Sequence, residues 1–512
     1  MNSLTLLKNL IHKLKKEEVR SLYRFLEFNT ERMDSSQLKS QQLVDLILDN
    51  REYSPLDLQK TIYGKENHVA FNKLVIRLYD KVLEVITLDV NLNRGYYSAR
   101  GKKVFELRKK MIQVDLLILK GLRENLNREL DKIIEQSLDF EIYDILIQAL
   151  YSKQRFSVVD SKRKYNEKIK SDIVHAEKCW AAFNVSQSVF NSIVTKINSS
   201  AGGYDFQKEL DRAVSLLEMK YEETKSPMIG FHYLFLATEK AQKEFDYSTA
   251  GKFLDKLIHV IEKNKSVYND VRYGSALLNI ANNMIHLLSF KEANEYVQKA
   301  KYFFKEQPVN MSILEEIEFY ICFYSSDLIQ AKSIITKLVN SPSSFNVPLL
   351  LSKWNYLMGC TLFLDNEFEL CLNILSNRPE IEQDKEGWNF QKRILIIMSR
   401  IEMKDMDSAD LNLQSLDKFM KRILKSKFVR PRLVLIVRIL KKLINENLNF
   451  ASVYDSRKKY FDLLESNHSD YRWEIKSPEL IIFNEWFRRN AENRKYNQDE
   501  VMDLLIKKYS IY

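Results

Sequence analysis

Residues 289–300 read SFKEANEYVQKA, and this stretch decides the fold. A polar turn ends at Ser289, the bulky Phe290 follows, and the small Ala293 stands three places later at the start of an amphipathic segment. The same pair recurs as Tyr247/Ala250, Leu328/Ala331, Phe368/Cys371 and Met406/Ala409, and again as Phe450/Val453. The small residues are spaced 43, 38, 40, 38 and 44 positions apart, which predicts helical hairpins on a beat of about forty residues. Two closely packed helices need a small side chain where the second crosses the first. A bulky residue beside the turn plugs the gap to the next hairpin.

Composition agrees. The 512 residues include only 11 glycines and 8 prolines, about 4% together against roughly 12% in an average globular chain. Folds that turn every ten residues, such as sandwiches, barrels and propellers, are excluded by that scarcity, as are most glycine-dependent phosphate loops. Pro227, Pro308, Pro342, Pro348, Pro379 and Pro478 fall in the expected connections between hairpins, whereas Pro431 is expected near the start of a helix. A hydrophobic fraction of 45% is ample for a core.

The repeated pair, the segment Ser289 to Tyr296 followed by Lys299-Ala300, and Trp354-x-x-Leu357 in a first helix together resemble the tetratricopeptide-repeat family over roughly residues 228 to 466. Gly359 stands one place beyond that family's usual glycine, and the step is near 40 rather than 34. The expected fold is all-α: a right-handed α-solenoid of helical hairpins with an amino-terminal helical bundle. Three regions are expected, with residues 1–95 as the bundle, 96–226 as irregular or degenerate helical repeats, and 227–512 as the solenoid with carboxy-terminal capping helices. In the bundle, helices are predicted over about 3–14, 16–28, 36–48, 55–63 and 68–88.

Chemistry is harder to find. The cysteines Cys179, Cys322, Cys360 and Cys371 form no CxxC pair, as suits a reducing compartment. His175 and Cys179 share a helix face at i, i+4, offering either two soft metal ligands or two core side chains. Gly95 to Lys102 departs from a phosphate loop, with five residues between its glycines and Lys103 where a magnesium-binding Ser or Thr belongs. No HExxH, GxSxG or kinase signature is present. No catalytic residue, cofactor or metal is therefore assigned, and the chain is expected not to be an enzyme. Lysines lie within and after the apolar positions of the first sixteen residues, and no run approaches eighteen uncharged apolar residues. The expectation is a soluble, cytoplasmic, bacterial protein without membrane insertion; its oligomeric state stays open.

Three groups of binding candidates follow. Consensus repeat geometry implies a groove lined by first-helix residues, here Tyr233, Asn279, Asn283, Asn355 and Arg393, that holds a peptide or partner protein. Asn279 and Asn283, at i, i+4, resemble asparagines that clamp peptide backbones. Residues 418 to 442 carry ten cations and no acid; Lys421, Arg422, Lys425, Arg430, Arg432 and Arg438 form a basic face for an acidic partner or nucleic acid, or one neutralised by neighbouring repeats. In the bundle, the helices near 36–48, 55–63 and 68–88 loosely resemble a helix-turn-helix, which implies DNA contacts by Asn72, Lys73 and Arg77. The leading reading is a non-enzymatic interaction scaffold or adaptor. The alternative is a transcriptional regulator with a repeat sensor.

Overall fold

The computed structural model describes residues 3–28, 35–49, 53–88, 98–157, 163–198, 204–341, 348–376, 380–381, 384, 387–424 and 430–509. These hold 25 α-helices and no strand. The chain divides into two compact units, Met1–Tyr97 and Ser98–Tyr512.

The first unit contains α1 (Ser3–Lys13), α2 (Lys16–Phe28), α3 (Ser35–Leu48), α4 (Pro55–Tyr63) and α5 (His68–Leu88). Ser54 caps α4 by accepting from the Asp57 backbone N–H, while the Asp57 carboxylate accepts from the Ser54 N–H, so two orphan donors are satisfied reciprocally. Gly64 ends the helix at φ +73, a conformation that favours glycine. Phe71, Leu74, Val75, Leu78, Val82 and Val85 of α5 form a stripe buried against Leu7, Leu22, Leu43 and Leu58.

In the second unit consecutive helices pack as hairpins, and the recurring pairs fall where the second helices begin. Those helices start at Tyr247, Phe290, Leu328, Phe368, Met406 and Phe450. Ala250, Ala293, Ala331, Cys371, Ala409 and Val453, one at the fourth position of each, are fully buried. The turns share one geometry. Phe245, Leu288, Ser326, Asn366, Lys404 and Leu448 stand two places before those starts, all at φ between 59 and 63. The N–H of Asp246, Ser289, Asp327, Glu367 and Asp405 then reaches back to the carbonyl of Ala241, Met284, Cys322, Leu362 and Arg400 at 2.9–3.0 Å, closing a Schellman motif. The same device appears earlier, at Gly121 before the helix Arg123–Asp139 and at Glu141 before Tyr143–Ser157. Hairpin geometry thus begins well before residue 227. This lies within the region expected to hold irregular or degenerate repeats, and Leu126 and Leu146 stand there in place of the small residue.

Pro431 begins a helix as expected, and Pro227, Pro308 and Pro348, expected in connections, begin helices too, where a missing N–H leaves no bond unmade. Pro342 and Pro379 lie outside the described residues, as does Gly95. The last hairpin departs from the others: its second helix is broken into Phe450–Ser456 and Lys458–Leu464. A non-helical segment, residues 466–482, follows, and then the helices Phe483–Ala491 and Gln498–Tyr509. One continuous core runs from Leu277 to Met502 through all of these. No described helix is long and apolar enough to cross a membrane.

Candidate functional site

The groove candidates are engaged in the fold itself. Asn283 is fully buried; its Nδ2 donates to the Tyr247 carbonyl at 2.9 Å and its Oδ1 accepts from Gln242 Nε2 at 3.3 Å. It does clamp a backbone, but that of its own preceding hairpin. Asn355 is buried and donates to the Leu351 carbonyl, one turn back in its own helix. Tyr233 donates to Glu218 at 2.9 Å and packs edge-on to Phe253. Arg393 lies over the Phe419 ring, bonds Ser415 and pairs with Glu380. Asn279 is half-buried on the helix Asp270–His286. Consensus geometry marked these positions as exposed. Instead Asn283 and Asn355 are buried, and Tyr233, Asn279 and Arg393 are half-buried.

What lies along this part of the array is the chain's own carboxy-terminal segment. Lys476, in the left-handed region at φ 60, sits over the Tyr320 ring at 4.9 Å. Its N–H donates to Tyr324 Oη at 3.0 Å and its ammonium bonds Asn282 Oδ1. Tyr356 Oη donates to the Pro478 carbonyl at 2.6 Å, and Trp473 packs edge-on to Tyr324. Asn282, Tyr320, Tyr324 and Tyr356 belong to three successive first helices, Asp270–His286, Pro308–Tyr324 and Pro348–Leu364. Beneath them Glu316 bonds Lys353 Nζ at 2.6 Å and Trp354 Nε1 at 2.8 Å. Burial alone would raise its pKa, but these donors outweigh it and hold the carboxyl below its ordinary range.

The basic run fastens the same segment. Arg432 is 3% exposed, and its guanidinium pairs bidentately with Glu479 at 2.7 Å while donating to the Leu464 and Tyr471 carbonyls and to Asn484 Oδ1. Arg430 pairs with Glu474 at 2.9 Å. Lys421 and Lys441 converge on Asp417, Lys442 pairs with Glu446, and Arg422 covers Phe419. Arg438 is exposed, and Lys425 lies outside the described residues. The run is therefore not a continuous bare cationic face. Asp417 and Glu446 flank the run and pair at i, i+4, whereas Glu474 and Glu479 come from over forty positions away, where a linear reading could not pair them.

Beside the segment is a cavity of about 570 Å³, lined by the turns Phe245–Ser248 and His286–Ser289, by Arg472–Ile475 and by Ile506. Its walls are aromatic. Tyr247 stacks on His286 at 4.3 Å, and the Arg472 guanidinium lies 4.3 Å above the Phe245 ring with Nε 3.5 Å from Glu474. Burial, helped by the nearby Lys476 charge, depresses the His286 pKa to about 3; burial and the Glu474 carboxylate push Tyr247 up to about 12. Both rings are neutral near pH 7.

The remaining candidates are scattered. His175 Nε2 lies 3.6 Å from Cys179 Sγ, and among the described residues no group of three His, Cys, Asp or Glu side chains is placed to hold a metal. Asn72, Lys73 and Arg77 are all exposed on α5, where Asp80 and Glu84 are exposed too. The sequence reading missed Asn282, Tyr320, Tyr324, Tyr356 and Lys476. The available signal was the loss of helical spacing between 466 and 482, where Tyr471, Trp473 and Leu480-Ile481-Ile482 still supply residues to bury.

The turns and buried small residues define the class: an all-α array of helical hairpins. No protein-family model matches the chain, and no curated protein matches it. Among solved structures it is similar to a signal transduction ATPase with numerous domains (STAND) protein with a tetratricopeptide repeat sensor from Pyrococcus horikoshii. The identity is 12%, with 86% of this chain and 67% of that one covered at a TM-score of 0.39. That overlap is loose, and the architecture stands on this chain's own turns.

Proposed function

We propose that the protein is a non-enzymatic interaction scaffold whose first-helix face holds an extended peptide or a segment of a partner protein. The observation that carries this reading is the seating of residues 473–478. Tyr324 and Tyr356 bond main-chain atoms of that segment, Asn282 and the Tyr320 ring take its Lys476 side chain, and its non-helical backbone needs no further ordering. A rigid array that binds one extended stretch in this manner has the chemistry to bind another. The adjoining cavity, with aromatic walls, the Arg472 cation and the Glu474 carboxylate, offers room for partner side chains next to the occupied stretch. Lack of catalysis is part of the proposal. It is supported by burial raising the Cys322, Cys360 and Cys371 thiols above their ordinary range, away from nucleophilic thiolate.

The test is affinity capture from the native cell extract with the wild-type chain and with a Tyr324→Phe/Tyr356→Phe variant, which loses both main-chain bonds to the segment. The expected outcome is one specific partner whose affinity differs at least several-fold between the two. Identical capture by both, or capture of nothing specific, would reject the face as the binding site. A second reading, a DNA-binding regulator, is favoured by the joint exposure of Asn72, Lys73 and Arg77 on α5 and opposed by Asp80 and Glu84 beside them. A salt-dependent shift of duplex DNA, abolished by Lys73→Glu/Arg77→Glu, would support it; absence of binding at low salt would end it.

A further inference from the structure

The outward face of α5 is unlike an ordinary solvated helix face. Val69, Ile76 and Leu83 recur at intervals of seven and are 69%, 51% and 41% exposed, forming an aliphatic line along a helix of 21 residues. At 100° per residue, Lys73, Arg77, Asp80 and Glu84 fall together on one flank of that line, and all four are exposed. Along that flank the two cations come first and the two carboxylates second. Among the described residues no salt bridge reaches any of the four, and Arg77 Nε donates to the Lys73 carbonyl at 3.4 Å. A shallow hollow beside the far end of the line is lined by Phe25, Asp80, Leu83, Glu84 and Thr87.

We propose that this face pairs with the same face of a second copy, the two α5 helices running antiparallel about a two-fold axis beside Leu78 and Tyr79, near the middle of the helix. In that arrangement the same flank of each helix meets the other in opposite order, so Lys73 and Arg77 of one copy lie beside Glu84 and Asp80 of its partner, twice over. The aliphatic residues interleave, with Ile76 of each copy beside Leu83 of the other, and Val69 of each reaches the Thr87 end of the other's hollow. A parallel pair would set the charged flank against the opposite flank, which holds Asn72 and His68, and would leave all eight charges unmatched. Self-complementarity of this kind is what a two-fold interface requires. One helix face per copy is a small interface, so the dimer is weak and concentration-dependent.

Sedimentation velocity on the full chain tests this across a wide concentration range. The wild-type protein is expected to move from 60.7 kDa toward twice that mass as concentration rises. Lys73→Glu/Arg77→Glu makes the flank wholly acidic and Asp80→Lys/Glu84→Lys makes it wholly basic, so each variant alone is expected to stay monomeric with an unchanged helical circular-dichroism spectrum. Mixing the two is expected to restore a dimer with at least tenfold tighter association than either alone. A wild-type monomer throughout, a dimer indifferent to both charge reversals, or a mixture that fails to associate would each overturn the proposal.

Discussion

At the scale of single residues, the structure separates side chains that look alike in the sequence. Ala331 and Ile329 both sit in the first turn of the helix Leu328–Val339, yet Ala331 is fully buried against the preceding helix while Ile329 is 88% exposed. Ala331→Leu inserts three heavy atoms into a filled crossing and is expected to cost about 1–3 kcal/mol; Ile329→Ala is expected to change stability by less than about 0.5 kcal/mol. Urea unfolding of the two variants checks the contrast. Arg432 makes a second case. Arg432→Met would strand the buried Glu479 carboxylate, at an expected cost of about 3–5 kcal/mol, whereas an Arg432→Met/Glu479→Gln double variant should recover part of the loss because no uncompensated charge remains. A single variant as stable as wild type would show that the pair is solvated in solution.

At the scale of elements, the turn rather than the helix is the repeating object. Each hairpin needs a left-handed residue two places before its second helix, yet none of the six positions from Phe245 to Leu448 is glycine. Exposed Lys404, at φ 59, gives the cleanest test. Lys404→Gly relieves the Cβ clash and is expected to be neutral or stabilising by up to about 1 kcal/mol, while Lys404→Val is expected to cost about 1–2 kcal/mol. Thermal unfolding midpoints of the pair decide it, and equal midpoints would mean that the turn relaxes to another geometry. These turns were legible in part. The bulky and small residues after each turn are visible in the sequence because burial at a crossing constrains side-chain size. The left-handed residue is not, because Phe, Leu, Ser, Asn and Lys all occupy it and the motif's main-chain bonds hold it there.

At the scale of the molecule, protonation couples to folding through buried imidazoles. Burial, with Arg272 nearby, lowers the His232 pKa to about 3, and its Nδ1 lies 2.8 Å from Ser186 Oγ; His286 is lowered to about 3 by burial and Lys476. An unfolded histidine takes up its proton near pH 6.5, so between about pH 6.5 and 3 the unfolded chain binds protons that the folded chain does not. Stability is therefore full above that window and falls on acidification, by up to about 1.4 kcal/mol per pH unit for each ring. His286→Gln should flatten the dependence between pH 6 and 4, as chemical denaturation at several pH values would show; an unchanged slope would mean that the ring is protonated in the folded state.

The sequence by itself determined the all-α class and the register of the later hairpins. Those features depend on groups a few residues apart, such as a bulky residue and a small one three places on, or a proline at a first turn. The helices Lys16–Phe28, Pro55–Tyr63 and His68–Leu88 were readable to the residue for the same reason. Tertiary structure alone decided what the array's face holds. The bonds that seat the carboxy-terminal segment join residues 122, 152 and 194 positions apart. Arg432 turned from a surface cation into a buried fastener because Glu479 arrives from 47 positions away. No local pattern encodes such pairings, since they arise only when the solenoid has brought its distant first helices side by side and the chain's end has folded back across them.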